Sequence, residues 1–443
     1  MLQPLVSRRR FLTTTAAGLA VAPWVTSGLR AASPNGKLRH ASIGVGGMGE
    51  SDLESLSSHP MIEIVALCDV DSNNLAAASK LFPKATCYRD WRDLLEKEAD
   101  RIDSVNVATP DHLHGSIGLE AMSLGKHLYG QKPLAQNLFE CRQMMLRARE
   151  KKVVTQMGIQ VSAGRNERLA VALIRQGAIG KVKEVHSWSY KKWGDMEPVP
   201  SQTDEVPKEL DWNLWLGPAA ERPFINGYYH PQEWRKRRNF GTGTLGDMGC
   251  HMFSGWFRAL ELAAPIEVCS KGTAPLNATN WAINERVEYT FKGTAHTAAD
   301  TVKVTWYDGD SQLPSEVIAA AGGRLSKEGS VFLGTDGVML FPHGGAPLLV
   351  PKEQFKNYPM PEVQAGDHYH EFIDCCLKGD FKTGANFDIA GPLTEAVLLG
   401  CLSSPFPGEV LRWDAPGLKI SNHELANKLV KRDYRKGWEL PGV

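Results

Sequence analysis

Chemistry is first legible in a short run of glycines. Gly44-Val45-Gly46-Gly47-Met48-Gly49 follows an apolar stretch and opens a helical one, the setting in which a Gly-x-Gly-x-x-Gly pattern acquires meaning. Glycine at these steps lets backbone approach a pyrophosphate, and the start of the next helix offers unpaired N–H groups and a favourable dipole. Asp69 closes the following apolar stretch 20 residues after Gly49. A carboxylate there accepts hydrogen bonds from the adenosine ribose and repels a 2′-phosphate, and no arginine follows it directly. The expected cofactor is therefore NAD rather than NADP, held by Gly44, Gly46, Gly47, Met48, Gly49 and Asp69.

Such a loop needs a parallel sheet behind it. Apolar runs at 41–45, 62–68, 102–108, 127–129 and 153–158 alternate with segments of helical spacing at 72–81, 112–124 and 138–151. This predicts a doubly wound parallel α/β domain of Rossmann type over residues 33–160. Beyond it, β-rich runs at 182–193, 282–291, 301–306, 330–333 and 338–341 are joined by Gly-rich turns. They predict an α+β domain over 161–443 with an open, mainly antiparallel sheet. Helical stretches at 367–378 and 389–402 cover that sheet or return to the first domain. The Pro- and Trp-rich segment 196–231 is too long for an idle loop and is expected to be functional.

The N-terminus carries a second signal. Ser7-Arg8-Arg9-Arg10-Phe11-Leu12 reads as a twin-arginine export motif, followed by an apolar run at 11–25 too short and too weakly apolar to span a membrane. Residues 1–32 are expected to be a signal peptide, cut near Ala20-Val21-Ala22 or Ala31-Ala32, with 33–36 as a linker. The expected partner is the twin-arginine translocation machinery, and the destination the periplasm or cell envelope of a bacterium. That route carries folded proteins, so NAD would travel bound, tightly held, and be regenerated in place. Taking the four leader arginines from a balance of 50 basic and 50 acidic residues leaves the mature chain at −4. That charge gives no reason to expect nucleic acid or an anionic membrane as partner. The eight cysteines, with no Cys-x-x-Cys spacing, read as small core residues.

Four further motifs stand in order: Ala108-Thr109-Pro110-Asp111-His112-x-His114, Gln131-Lys132-Pro133, Trp234-Arg235, and the stretch from Gly241 to Gly246-Asp247-Met248-Gly249-Cys250-His251. With the glycine loop they resemble the glucose-fructose oxidoreductase and inositol dehydrogenase family, Gfo/Idh/MocA, over essentially the whole chain after the signal. The resemblance implies that Lys132 matches the lysine of Glu-Lys-Pro, and that Asp247 and His251 match an Asp-x-x-x-His pair. It also places Thr109, Pro110, His112, His114, Gln131 and Lys132 beside the cofactor. Oxidising an alcohol needs a base for the hydroxyl proton while hydride leaves the same carbon. His251 and Lys132 are both candidates for that base, and Asp247 orients its neighbours. On a helix, Asp247 and His251 share a face. The departure is Gln131, where the family usually has Glu; an amide keeps the hydrogen-bonding shape and loses the charge. Relatives of this kind are commonly dimers or tetramers, so a homo-oligomer is expected.

Asp111, His112 and His114 could pass for a metal pair, as could Asp367-His368-x-His370-Glu371. Neither acquires a third and fourth ligand at sensible spacing, so no metal is expected, and the second cluster is read as helix capping and packing. The substrate is expected between the domains against Tyr190, Lys192, Trp193, Tyr229, His230 and Arg235, aromatic faces and cations that suit a sugar ring and its polar groups. Three functions fit. The first is NAD-dependent oxidation of a sugar, polyol or glycoside. The second is a redox-neutral cleavage or epimerisation through a transient ketone with recycled NAD. The third is a sugar- and NAD-binding protein without turnover.

Overall fold

The computed structural model describes residues 36–440 and 442. The expected export signal and its cleavage sites lie outside them. Strands β1 (Leu38–Ile43), β2 (Ile62–Cys68), β3 (Thr86–Tyr88), β4 (Ser104–Val107), β5 (His127–Gly130) and β6 (Thr155–Met157) form an all-parallel sheet in the order β3-β2-β1-β4-β5-β6. The order reverses between β1 and β4, and there the carboxyl ends of the strands leave a crevice for ligand. Helices α1 (Met48–Ser57), α2 (Ser72–Leu81), α3 (Trp91–Glu98), α4 (Asp111–Ser123) and α5 (Leu138–Lys151) wind around the sheet. Asp71, Asp90 and Asn137 start α2, α3 and α5 by accepting from the backbone N–H of Asn73, Arg92 and Glu140. β4 is buried throughout, as a strand covered on both faces must be.

The second sheet holds β7 (Val182–Ser189), β8 (Glu267–Ser270), β9 (Arg286–Lys292), β10 (Thr301–Asp308), β11 (Glu328–Gly334), β12 (Val338–Pro342), β13 (Leu348–Val350), β14 (Leu411–Asp414) and β15 (Lys419–Ile420). Its order is β13-β12-β11-β7-β10-β9-β8-β14-β15, antiparallel except where β7 lies parallel to β10. The expected fold class holds for both parts. α6 (Arg165–Arg175) and α7 (Gly243–Ala259) pack on each other beside this sheet, with Phe253 and Trp256 of α7 fully buried against Tyr289, Phe291 and Trp306. Of the two late helices, α8 (His368–Lys378) returns to α1, while α9 (Phe387–Ser403) lies against both α5 and α7 and ties the two layers together.

The segment 196–231 and its continuation wrap an aromatic cluster of Trp215, Phe224, Tyr229 and Phe240, and Leu210 bridges to Asp71 beside β2. Seven of the cysteines are buried, and Cys87 is exposed. Asp367 caps α8 by accepting from the N–H of Tyr369 and His370, and His368 is buried with Nε2 3.0 Å from the Met157 carbonyl. The cluster there caps and packs, as read from the sequence.

Candidate active site

A cleft of about 780 Å³ runs from the crevice of the parallel sheet to the face of the second sheet. At one end lies the glycine loop. Gly44 has φ +80°, and a side chain there would press on the Ala108 carbonyl at 2.7 Å; at Gly49 a Cβ would meet the Gly44 carbonyl at 2.0 Å. Gly47, at φ +56°, faces open space and starts α1 with no side-chain cap. The Gly49 N–H donates back to the Gly46 carbonyl at 3.0 Å, and the rest of this uncapped helix start can meet a ligand anion. Asp69 lines the same end; its two oxygens accept from the N–H of Val45 and Asp71, both at 2.9 Å. Burial raises its pKa, against the opposing effect of those backbone donors. The carboxylate therefore braces the glycine loop and retains lone pairs for ribose hydroxyls. The buried Thr109 hydroxyl, also on the cleft, has no protein partner. Cradle, bare helix start and orphan hydroxyl together fit a dinucleotide.

In the middle of the cleft stand the residues expected to do the chemistry. Lys132 follows β5, and its Nζ lies 2.7 Å from Asp247 Oδ1 and 2.9 Å from the Asp247 carbonyl. Arg235 Nε approaches the same Oδ1 at 3.3 Å. Burial alone would push the Asp247 carboxyl up; the charges of Lys132 and Arg235 overcome this and hold it well below the usual carboxylate range. One turn on along α7, His251 also faces the cleft. Burial, reinforced by the Lys132 charge, pushes its pKa well down, so the imidazole is neutral and its buried Nδ1 has no protein partner. The cleft thus presents a cation locked to an anion, with a neutral proton acceptor beside them.

Thr109, Pro110, Gln131 and His114 line the cleft as expected. His114 bridges two loops, with Nδ1 2.7 Å from the Pro133 carbonyl and Nε2 2.8 Å from that of Thr109. His112 does not reach the cleft. Its neighbours Asp111 and Leu113 line the cleft, but His112 turns into the aromatic cluster against Trp215 and Phe240, with Nε2 2.9 Å from the Trp215 carbonyl. The expectation for His112 is corrected to a packing role.

On the substrate side, Trp193, His230 and Arg235 line the cleft, the Arg235 guanidinium lying over the Trp193 and Trp234 rings. Tyr190, Lys192 and Tyr229 do not. Tyr190 is half exposed under Lys327, and Lys192 pairs outward with Asp310 at 2.6 Å. Exposure alternates along the chain leaving β7: Lys191 and Trp193 take the cleft side, and residues 190 and 192 are turned to solvent. Tyr229 is buried among Trp212, Trp215 and Phe240. The sequence reading missed Lys191, Glu328, His343 and Arg89, all on the cleft. His343 sits with its ring 5.6 Å from that of His251. The alternation that selects Trp193 would have found Lys191; no local pattern marks His343 or Glu328, which arrive from β11 and the turn after β12. Among the described residues no group of three His, Cys, Asp or Glu side chains is arranged to hold a metal.

Fold and site together define a dinucleotide-binding α/β protein with an ionisable centre over the nucleotide cleft. The chain belongs to the Gfo/Idh/MocA family: residues 38–159 match its model described as "Oxidoreductase family, NAD-binding Rossmann fold", and residues 176–304 match "Oxidoreductase family, C-terminal alpha/beta domain". Among curated relatives it is 32% identical over 154 residues to a "Glycosyl hydrolase family 109 protein" of Shewanella sp. W3-18-1, covering 33% of each chain. It is 30% identical over 207 residues to one of Shewanella putrefaciens, covering 40% of this chain and 44% of the relative. The matches thus span less than half the length of these relatives. Among solved structures, the WlbA dehydrogenase of Bordetella pertussis, in complex with NADH and UDP-GlcNAcA, shares the fold at TM-score 0.60 and 18% identity, covering 85% of this chain and 99% of that one. A levoglucosan dehydrogenase in complex with NADH does so at TM-score 0.56 and 18% identity, covering 83% and 98%.

Proposed function

We propose that the protein is an NAD-dependent oxidoreductase that acts on a CH–OH carbon of a sugar, polyol or glycoside. One observation carries this: Lys132, Asp247 and His251 converge in the cleft that the glycine loop and Asp69 open onto, with Lys132 Nζ 2.7 Å from the Asp247 carboxylate. The carboxylate at Asp69 favours NAD over NADP, and Arg89, on the same cleft, already donates to the carbonyls of Val70 and Glu209. When bound, NAD supplies a hydride acceptor. The chain's own residues handle the proton. Neutral His251, with a free ring nitrogen, can take it from the substrate hydroxyl, while Lys132, fixed by Asp247, donates to the same oxygen and steadies its developing charge. Trp193 and Arg235 offer an apolar face and a cation to the ring.

A second reading is favoured by the glycosyl hydrolase relatives. Here transient oxidation to a ketone, which bound NAD would supply and later reverse, would make the neighbouring C–H acidic; neutral His251 would remove that proton, the glycosidic group would leave and water would add. Both readings suit a tightly held cofactor, export under the twin-arginine motif and a homo-oligomer. The test incubates purified protein with a panel of sugars and p-nitrophenyl glycosides in D₂O. Stoichiometric NADH release with no deuterium beside the oxidised carbon supports the first reading; cleavage with deuterium incorporated and no net NADH supports the second. Ligand binding without either product, in both the native protein and Lys132→Ala, would leave only the binding-protein alternative. Export is checked by fractionation: Arg8→Lys/Arg9→Lys should retain the protein inside the cell.

A further inference from the structure

Beneath the catalytic lysine lies a buried carboxylate that none of the chemistry above uses. Asp52, on the second turn of α1, is fully buried. The amide nitrogen of Gln131 donates to both its oxygens, at 3.0 and 2.9 Å, and the Tyr369 hydroxyl of α8 donates to Oδ1 at 2.9 Å. The other end of the same amide, Oε1, lies 3.2 Å from the backbone N–H of Lys132. Room for this amide is made at Gly158, where a Cβ would stand 2.6 Å from Gln131 Oε1. Gln131 therefore spans a carboxylate on the cofactor-loop helix and the backbone of Lys132, with each end in the only sense that satisfies both neighbours. A glutamate at position 131, the residue at this place in the family pattern, would set two carboxylates face to face in a dry site.

We propose that Asp52 is a positioning residue for Lys132, acting through Gln131, with the negative charge of this contact carried at position 52 and the amide at position 131. The network fixes the Lys132 loop against α1 and α8, so the ammonium meets Asp247 with its backbone already held. Groups facing Asp52 are Gln131 and Lys132 from the loop after β5, Tyr129 of β5 stacked on Tyr369, and Tyr369 itself from α8, with Asn106 of β4 alongside. Burial raises the Asp52 carboxyl to about 6, against hydrogen bonds from Gln131 and Tyr369. It is thus close to taking up a proton whenever a second carboxylate is brought to it.

The test is a charge swap on the full chain, comparing Gln131→Glu, Asp52→Asn and the double variant. It rests on the proposed oxidoreductase reading only for its kinetic arm. In thermal unfolding without substrate, Gln131→Glu should lose about 5 °C at pH 8 and recover as pH falls and the paired carboxylates share a proton. The double variant, in which amide and carboxylate have exchanged places across the same contact, should match the native protein across the range. In turnover of whichever panel sugar or glycoside is accepted, Gln131→Glu should lose about tenfold in kcat with KM little changed, and the double variant should regain most of it. A double variant no better than Gln131→Glu overturns the proposal, as does a Gln131→Glu whose unfolding falls while kcat holds, which would make the network purely structural. Failure to find any substrate would count against the oxidoreductase reading while the unfolding arm still decides the swap.

Discussion

The two halves of the cleft are built differently. The nucleotide half is made of backbone: glycines 44, 46, 47 and 49, the bare start of α1, and a carboxylate that braces both. The other half, where we propose the substrate sits, is made of side chains arriving from distant stretches: Lys191 and Trp193, Arg235, Asp247 and His251, Glu328, and His343. Backbone recognition tolerates little change and reads the part of the cofactor common to all dinucleotides. A side-chain wall can be exchanged one residue at a time, which is how a shared fold comes to serve different substrates.

The sharpest break in that comparison falls where the halves meet. Lys132→Ala should lower kcat about a thousandfold while NAD is retained, as read by absorbance of nucleotide released on denaturation; loss of the nucleotide as well would show that Lys132 belongs to the cofactor half. Asp247→Asn should cost about a hundredfold, because it leaves Lys132 and Arg235 without their shared anion. The folded-state value of this carboxyl is depressed, so its contribution to stability is complete above the ordinary 3.8 and is lost as pH falls through the depressed value. An unfolding transition that instead weakened near neutral pH in the native protein, and not in Asp247→Asn, would contradict this. Because burial holds His251 neutral, kcat should show no inflection assignable to it near 6.5; an inflection there, removed by His251→Gln, would mean that it carries charge at rest.

Smaller effects separate the halves further. Gly46→Ala places a methyl 2.4 Å from the Asn74 amide, so nucleotide retention should fall about tenfold, with substrate KM unchanged. Lys191→Ala should raise KM about tenfold, and Lys192→Ala, its outward neighbour, should change it less than about twofold. Equal effects at 191 and 192 would refute the alternation inferred along the chain leaving β7.

Legibility followed the same division. The helices at Ser72–Leu81 and Leu138–Lys151 and the strand at Ile62–Cys68 lie where their apolar spacing puts them. β3, at Thr86–Tyr88, was not anticipated: it is three residues long with two of them exposed, so it carries no apolar run. β8 and β14 escaped for another reason. Each is four residues, and they pair with each other across more than 140 positions of sequence. His112 turns to Trp215 and Phe240 because membership in a motif does not fix which way a side chain on the first turn of a helix points.

The order of motifs along the chain by itself determined the family, the parallel sheet and the glycine cradle, because those features depend on residues close together in sequence and on local backbone chemistry. Which side chains face the cleft, what Gln131 is paired with, and whether an imidazole there carries a proton were decided only in the tertiary structure. Each of those depends on burial and on charges brought from elsewhere: Asp52 lies 79 residues from Gln131, and Lys132 lies 115 from Asp247.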